Sequence, residues 1–109
     1  MGFYREKTKD YFLLDTQVEN LFINEYMTGA PGEYVKVYLF ALMYAQLGVD
    51  FSNEDIAKQL SMELEDVLKA WTYWEKMGIV RKIRTSADNP LEYDVEFVLL
   101  KDMLYGSRE

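Results

Sequence analysis

Two helical patterns follow one another in the middle of the chain with almost no linker between them. Ser52 stands three residues before Asp55, which resembles a capping box with Asp in place of the favoured Glu. Apolar residues at helical spacing then continue to about Leu60. Ser61 can cap a longer helix, predicted over residues 62–77. Two helices joined by so short a turn indicate a helix-turn-helix.

The sequence after residue 90 alternates strictly between apolar and charged residues. Four apolar residues are separated by three acids, and together they read Leu91, Glu92, Tyr93, Asp94, Val95, Glu96 and Phe97. A period of two is typical of a strand with one buried face. Residues 79–84, which follow Gly78, can form the partner strand, and the loop-like composition of residues 85–90 predicts a hairpin.

Two more helices are predicted before this unit. Apolar residues recur at roughly helical spacing over residues 17–27, with Asp15 or Thr16 as N-cap, and the loop composition of residues 28–32 ends that helix. Residues 33–47 are apolar nearly all round and stop at Gly48. We expect the second of these helices to run through the centre of the domain, with its tyrosines packed in the core.

The order of these elements predicts a mainly α fold with a small β-hairpin, namely a winged helix-turn-helix. Residues 15–100 would form this single domain, since a chain of 109 residues has room for one. Residues 1–14 would be an N-terminal arm, extended or in a strand. Residues 101–109 would be a tail, cut from a longer chain.

The residue inventory argues against most enzyme chemistry. The chain has no Cys and no His, which excludes disulfides, cysteine-based zinc sites and Ser-His-Asp triads. Glu63 and Asp66 lie one helical turn apart, but they stand at a helix start with no companion ligand. We therefore expect no catalytic site, no metal and no cofactor.

We expect the chain to carry no membrane or export signal. Its first ten residues mix charges and contain no apolar run, and the longest apolar stretch, residues 34–47, is shorter than the roughly 20 residues that a bilayer requires. We expect a cytoplasmic protein with no membrane partner.

The charge pattern limits DNA binding. The net charge is −7, and acids occupy the first turn of the would-be recognition helix at Glu63, Glu65 and Asp66. Contact with DNA would therefore be local and weak. The candidate contacts are Lys69, Tyr73, Lys76, Arg81, Lys82 and Arg84. For the three basic residues of the hairpin, pairing with acids on the opposite strand is the favoured explanation.

The chain resembles the N-terminal domain of DnaD-like primosomal proteins. The likeness runs from an apolar arm, Tyr11-Phe12-Leu13-Leu14, through residues 56–71 and 74–80 of the helix-turn-helix to the hairpin, and it includes the acidic start of the recognition helix. The resemblance implies a role in replication initiation, with replication proteins as partners. It also implies that this domain self-associates while a separate C-terminal domain binds much of the DNA.

Three functions remain open at this point. The favoured one is an oligomerisation module, a homodimer or homotetramer in which Tyr11, Phe12, Leu13 and Leu14 supply part of the interface. A surplus of apolar residues, half of this short chain, agrees with it. The alternatives are a DNA-binding winged-helix transcriptional regulator and, least favoured, a catalytic domain with an unusual carboxylate site.

Overall fold

The fold was obtained as a computed structural model that describes residues 1–3, 14–90 and 92–105. It is mainly helical with one small antiparallel sheet. In chain order the elements are a π-helical segment (Phe22–Met27), α1 (Gly32–Leu47), α2 (Asn53–Leu60), α3 (Leu64–Lys76), β1 (Val80–Arg84), β2 (Tyr93–Phe97) and α4 (Leu100–Tyr105).

Helix α1 confirms the predicted central helix to within one residue at its start. It buries Val37, Tyr38 and Ala41, and it ends at Gly48, whose φ of 69° is the left-handed conformation that glycine adopts without strain. Its last turn departs from the prediction, because Leu47 is 41% exposed. The helix is therefore central through its first three turns and faces solvent at its end.

Helix α2 begins at the predicted capping box. The Asp55 N–H donates to Ser52 Oγ, and the Ser52 N–H donates to Asp55 Oδ2, each at 3.0 Å. Asp55, although its side chain is shorter than that of Glu, therefore still forms both hydrogen bonds of a capping box. The prediction for Ser61 was wrong. Ser61 ends α2 in a left-handed conformation with φ of 55°, and it does not cap the next helix.

Helix α3 starts two residues later than predicted. Its N-cap is Glu63, which makes no side-chain capping bond. Four residues of one face are buried, Val67, Ala70, Trp71 and Trp74, and Gly78 turns the chain after the helix with φ of 82°. Each indole N–H finds an acceptor at 2.9 Å: Trp71 Nε1 donates to Asn53 Oδ1, and Trp74 Nε1 donates to the carbonyl oxygen of Tyr34. Both indoles are therefore buried without an unsatisfied donor.

The hairpin confirms the predicted pair of strands. Val80 is paired with Phe97, Lys82 with Val95, and Arg84 with Tyr93. The alternation holds in β2, where Tyr93, Val95 and Phe97 are half-buried while the acids between them are exposed. Leu91, the predicted first residue of this strand, lies outside the described residues.

The first helical segment is shorter than predicted and differently wound. Asp15 and Thr16 do not cap it, because this segment begins at residue 20. The amide of the Gln46 side chain bonds both backbone groups of Gln17: Gln17 N–H donates to Gln46 Oε1 at 2.9 Å, and Gln46 Nε2 donates to the Gln17 carbonyl at 2.7 Å. These two bonds satisfy the backbone of Gln17 outside a helix.

Helix α4 occupies most of what was predicted to be a tail. Leu100 is fully buried, and the carboxylate of Glu19 accepts hydrogen bonds from the N–H groups of Leu100 and Lys101, each at 2.9 Å. A carboxylate at this position satisfies amides that lack an intrahelical partner and interacts favourably with the helix dipole. The domain thus extends beyond residue 100.

The core joins all of these elements. It is rich in aromatic rings, with Phe22 stacked on Tyr38 at 4.1 Å between centroids and Trp74 within 5.5 Å of both. Burial, followed by the nearby charge of Glu19, raises the pKa of Tyr38 far above its ordinary value. None of the helices in the described part of the chain is long and apolar enough to cross a membrane.

Candidate interaction surfaces

The predicted self-association arm is described only at its end. Tyr11, Phe12 and Leu13 lie outside the described residues. Leu14 is 77% exposed, so its side chain is not packed on the domain. An exposed leucine beside three further apolar residues in the sequence is available to a partner.

The candidate DNA contacts on α3 do not form a basic face. Lys69 is exposed and forms an ion pair with Glu65 one turn before it, at 3.6 Å. Lys76 is exposed in the last turn of the helix. Tyr73 is half-buried, with its ring 5.3 Å from that of Tyr34 and 4.9 Å from that of Trp74. Tyr73 therefore serves packing between α1 and α3.

The three basic residues of the hairpin, which we call the wing cations (Arg81, Lys82 and Arg84), lie on two different faces. Side chains alternate along a strand, and directly paired residues of antiparallel strands share a face. Lys82 and Arg84 are consequently on the half-buried face with Tyr93. Arg81 is on the opposite, exposed face with Glu96. The wing cations are close in sequence, but they do not form one basic patch.

Two of the wing cations are engaged by carboxylates. Arg81 Nη1 donates to Glu96 Oε1 across the strands at 3.0 Å, as cross-strand pairing predicts. Lys82 instead reaches back to α3, where its Nζ lies 3.5 Å from Glu75 Oε1 and donates to Thr72 Oγ1 at 3.0 Å. The prediction that opposite-strand acids pair with the wing cations is therefore confirmed for Arg81 and wrong for Lys82.

Arg84 differs from the other two. It is exposed at the end of β1, and no carboxylate of the described residues forms an ion pair with it. The least favoured function, a carboxylate site, would use Glu63 and Asp66. Within the described residues, no group of three acidic side chains converges as a metal site would require.

A groove that sequence reasoning did not identify lies on the side of α3 that faces the hairpin and α2. It has a volume of about 800 Å³. Eight apolar and aromatic side chains line it, from the loop after α1, from α3 and from β2, and we call them its floor: Val49, Phe51, Leu64, Leu68, Trp71, Tyr93, Val95 and Phe97. Four acids also line it, and we call them its rim: Asp50, Glu54, Glu92 and Asp94. We call this feature the groove.

The acids of the groove have no cation beside them in the described part of the chain. Among the described residues that line the groove there is no Lys or Arg, and none of its four acids is in an ion pair with another described residue. Val49 and Leu64 of its floor are 48% and 37% exposed. The groove therefore combines exposed apolar side chains with four acids that lack a described ion-pair partner.

Tyr93 lies at the junction of the groove and the wing cations. Burial raises the pKa of its phenol above the ordinary value of 10.0, a hydrogen bond with Asn53 opposes this, and the charge of Glu75 adds to it. The Nζ of Lys82 lies 5.0 Å from the centre of the Tyr93 ring, within range of a cation–π interaction. These contacts fix the strand against α3 and so define one wall of the groove.

The groove could not be found from sequence patterns, because its parts are about 40 residues apart and are brought together only by packing. The alternation in β2 correctly placed Tyr93, Val95 and Phe97 on one face and the acids on the other. It was the only sequence pattern that pointed to part of the groove. Comparisons of the chain with protein-family models, with curated proteins and with solved structures found no match.

Proposed function

We propose that this chain is a winged helix-turn-helix domain that works as a self-association and protein-interaction module, of the kind found in DnaD-like replication-initiation proteins. Its contact with DNA is weak or accessory. The proposal assigns it a cytoplasmic role among replication proteins and no catalytic step. The order α2, short turn, α3, hairpin supports the fold assignment.

One observation carries the functional proposal: the candidate DNA-binding cations do not form one basic face, and three of the five are paired with carboxylates. Lys69, Arg81 and Lys82 each lie within 3.6 Å of a carboxylate oxygen. Arg81 also points to the opposite face of the hairpin from Lys82. Affinity for DNA rises with the number of phosphates that cations can neutralise together, so a divided set is a poor DNA surface.

Exposed apolar side chains support protein contact. Leu14 is largely exposed, and full burial of a leucine stabilises an interface by about 2 kcal/mol. Three more apolar residues precede it in the sequence. We therefore assign the apolar arm, Tyr11 to Leu14, to the interface of a homodimer or homotetramer.

The self-association proposal can be tested by multi-angle light scattering at high micromolar concentration. We expect the chain to be a dimer or tetramer, and we expect replacement of Tyr11, Phe12, Leu13 and Leu14 together by serine to reduce the mass to that of a monomer. Phe3→Ser, at an exposed apolar residue near the same terminus, is the control and should leave the mass unchanged. A chain that is monomeric throughout would refute the proposal.

A DNA-binding regulator is the second candidate, and Arg84 is the observation in its favour, since it is exposed and has no ion-pair partner among the described carboxylates. A titration with duplex DNA at increasing salt separates the two. We expect weak binding with a shallow salt dependence. Tight binding that falls steeply with salt, and that is lost when all three wing cations are replaced by alanine, would favour the regulator.

A further inference from the structure

Strand β2 has an edge that no strand of the described residues covers. The pairs Ile79 with Val98 and Thr85 with Glu92 are joined by backbone hydrogen bonds at the two ends of the hairpin. In an antiparallel pair every second residue bonds to the other strand. Asp94 and Glu96 are therefore the residues within β2 that bond to β1. The N–H and C=O groups of Tyr93, Val95 and Phe97 therefore point away from β1, and no described residue bonds to them.

The groove runs beside this strand. Tyr93, Val95 and Phe97 line it, and residues 49–54 form another part of its wall. A five-residue strand is about 17 Å long, so an extended segment of similar length can lie along it. Unpaired edges of this type accept an additional strand from another chain, with backbone hydrogen bonds supplying affinity and alternate side chains supplying specificity.

The two faces of β2 specify opposite chemistry for an added strand. On the half-buried face its side chains would meet Tyr93 and Val95 and the groove floor, which favours aliphatic or aromatic residues. On the exposed face they would lie beside Glu92 and Asp94, which favours lysine or arginine. Glu96 contributes less, since Arg81 already pairs with it.

We infer that the groove binds an extended segment of a partner protein in which basic residues alternate with aliphatic or aromatic ones, and that this segment adds to the edge of β2 as a third strand. The inference rests on the proposed function and names the chemistry of one partner of that interaction module. The four rim carboxylates, none of which is in an ion pair with a described residue, favour a basic segment over a neutral or acidic one.

The test uses synthetic peptides and the full chain. The probe is a fluorescein-labelled nine-residue peptide in which lysine alternates with valine and the central residue is phenylalanine. Binding is measured by fluorescence anisotropy. Replacing every lysine by glutamate should weaken binding by at least tenfold. Methylating alternate backbone nitrogens, which removes hydrogen-bond donors but keeps the side chains, should weaken it by about tenfold through loss of one or more hydrogen bonds.

Variants of the chain locate the site. Glu92→Lys together with Asp94→Lys should weaken binding by about tenfold, since exposed ion pairs are each worth up to about fivefold. Glu25→Lys is the matched control, because it reverses an exposed acid of the π-helical segment that is not part of the groove. It should change the affinity by less than twofold. Backbone amide chemical shifts of Tyr93, Val95 and Phe97 should move when the peptide is added.

Four results would overturn the inference. The first is equal affinity for the acidic and basic peptides, and the second is unchanged affinity for the methylated peptide. The third is binding that appears only after residues 11–14 are replaced by serine, which would mean that the chain's own arm fills the groove. The fourth is a change of oligomeric mass caused by Glu92→Lys and Asp94→Lys without peptide, which would make the groove an interface between copies.

These outcomes are distinguishable from failure of the proposed self-association. Loss of oligomer on replacing the apolar arm, with no peptide binding, would retain the module and remove this partner. Peptide binding by a strictly monomeric chain would retain this partner and refute the proposed self-association.

Discussion

Two regions of the molecule share helix α3 and the hairpin, yet they satisfy their charges in opposite ways. In the first, which we call the ion-paired region, Lys69 lies near Glu65 and Lys82 lies near Glu75. In the groove four carboxylates have no described cation beside them. A surface whose charges are already paired gains little from a charged partner, whereas an uncompensated rim selects a partner of opposite sign.

The largest expected effect comes from a substitution that alters both regions. Trp71 is fully buried in α3, lines the groove and donates to Asn53. We expect Trp71→Ala to lower the free energy of unfolding by about 3–5 kcal/mol, because it leaves a large cavity. Urea denaturation followed by circular dichroism would measure the change.

Trp71→Phe is the control for that variant. It keeps an aromatic ring but leaves the Asn53 side chain without the indole donor, which should cost less, about 1–2 kcal/mol. Equal unfolding midpoints for the wild type and Trp71→Ala would contradict the packing described for α3.

A smaller effect should separate the two ion pairs of the ion-paired region. The Lys82 side chain is only 22% exposed, and it contacts both Glu75 and Thr72. The Lys69 side chain is 59% exposed and contacts Glu65 alone among the described carboxylates. Lys82→Met should therefore destabilise the domain by about 1 kcal/mol, and Lys69→Met by less than about 0.5 kcal/mol.

Thermal and urea unfolding at two salt concentrations would check this difference. Methionine retains the apolar stem in both variants, so the comparison isolates the charge. Indistinguishable losses for the two variants would mean that the contact between the hairpin and α3 through Lys82 contributes no more than an exposed helical pair.

The smallest effect is a pH dependence that arises on the groove side. Burial raises the pKa of Tyr93 in the folded state above 10.0, so above that pH the folded protein holds a proton that the unfolded chain has lost. Stability should then fall as the pH rises through the range above 10, and Tyr93→Phe should make that fall shallower.

Tyr38→Phe is the comparison for this measurement, because the pKa of Tyr38 is raised more strongly. It should reduce the alkaline loss more than Tyr93→Phe does. Urea midpoints between pH 8 and pH 11 would show both slopes, and a slope unaffected by either variant would refute the assignment.

Local rules were sufficient for much of the fold. The capping box at Ser52 and Asp55, the stop at Gly48 and the alternation in β2 each depend on residues within a few positions of one another, and each prediction was confirmed. Ser61 shows the limit of such rules. A serine between two helices suits the start of the second, but here a left-handed conformation at the end of the first takes precedence.

The remaining differences come from contacts between distant residues. Gln46 lies 29 positions from Gln17 and satisfies its backbone groups where a helix was predicted to start. The side of the hairpin on which each wing cation lies depends on strand register, and the groove depends on how residues 49–54 pack beside β2. Composition and periodicity contain none of this information, so the candidate site could be predicted only in its β2 portion.

The carboxylate of Glu19 has a consequence for how distant parts of this fold are held together. It bonds residues 81 and 82 positions further along the chain, which brings the segment before the π-helical segment next to the start of α4. An early and a late element of the described fold are therefore neighbours, although they are far apart in the sequence. One carboxylate holds both, so its loss would loosen these two elements at once.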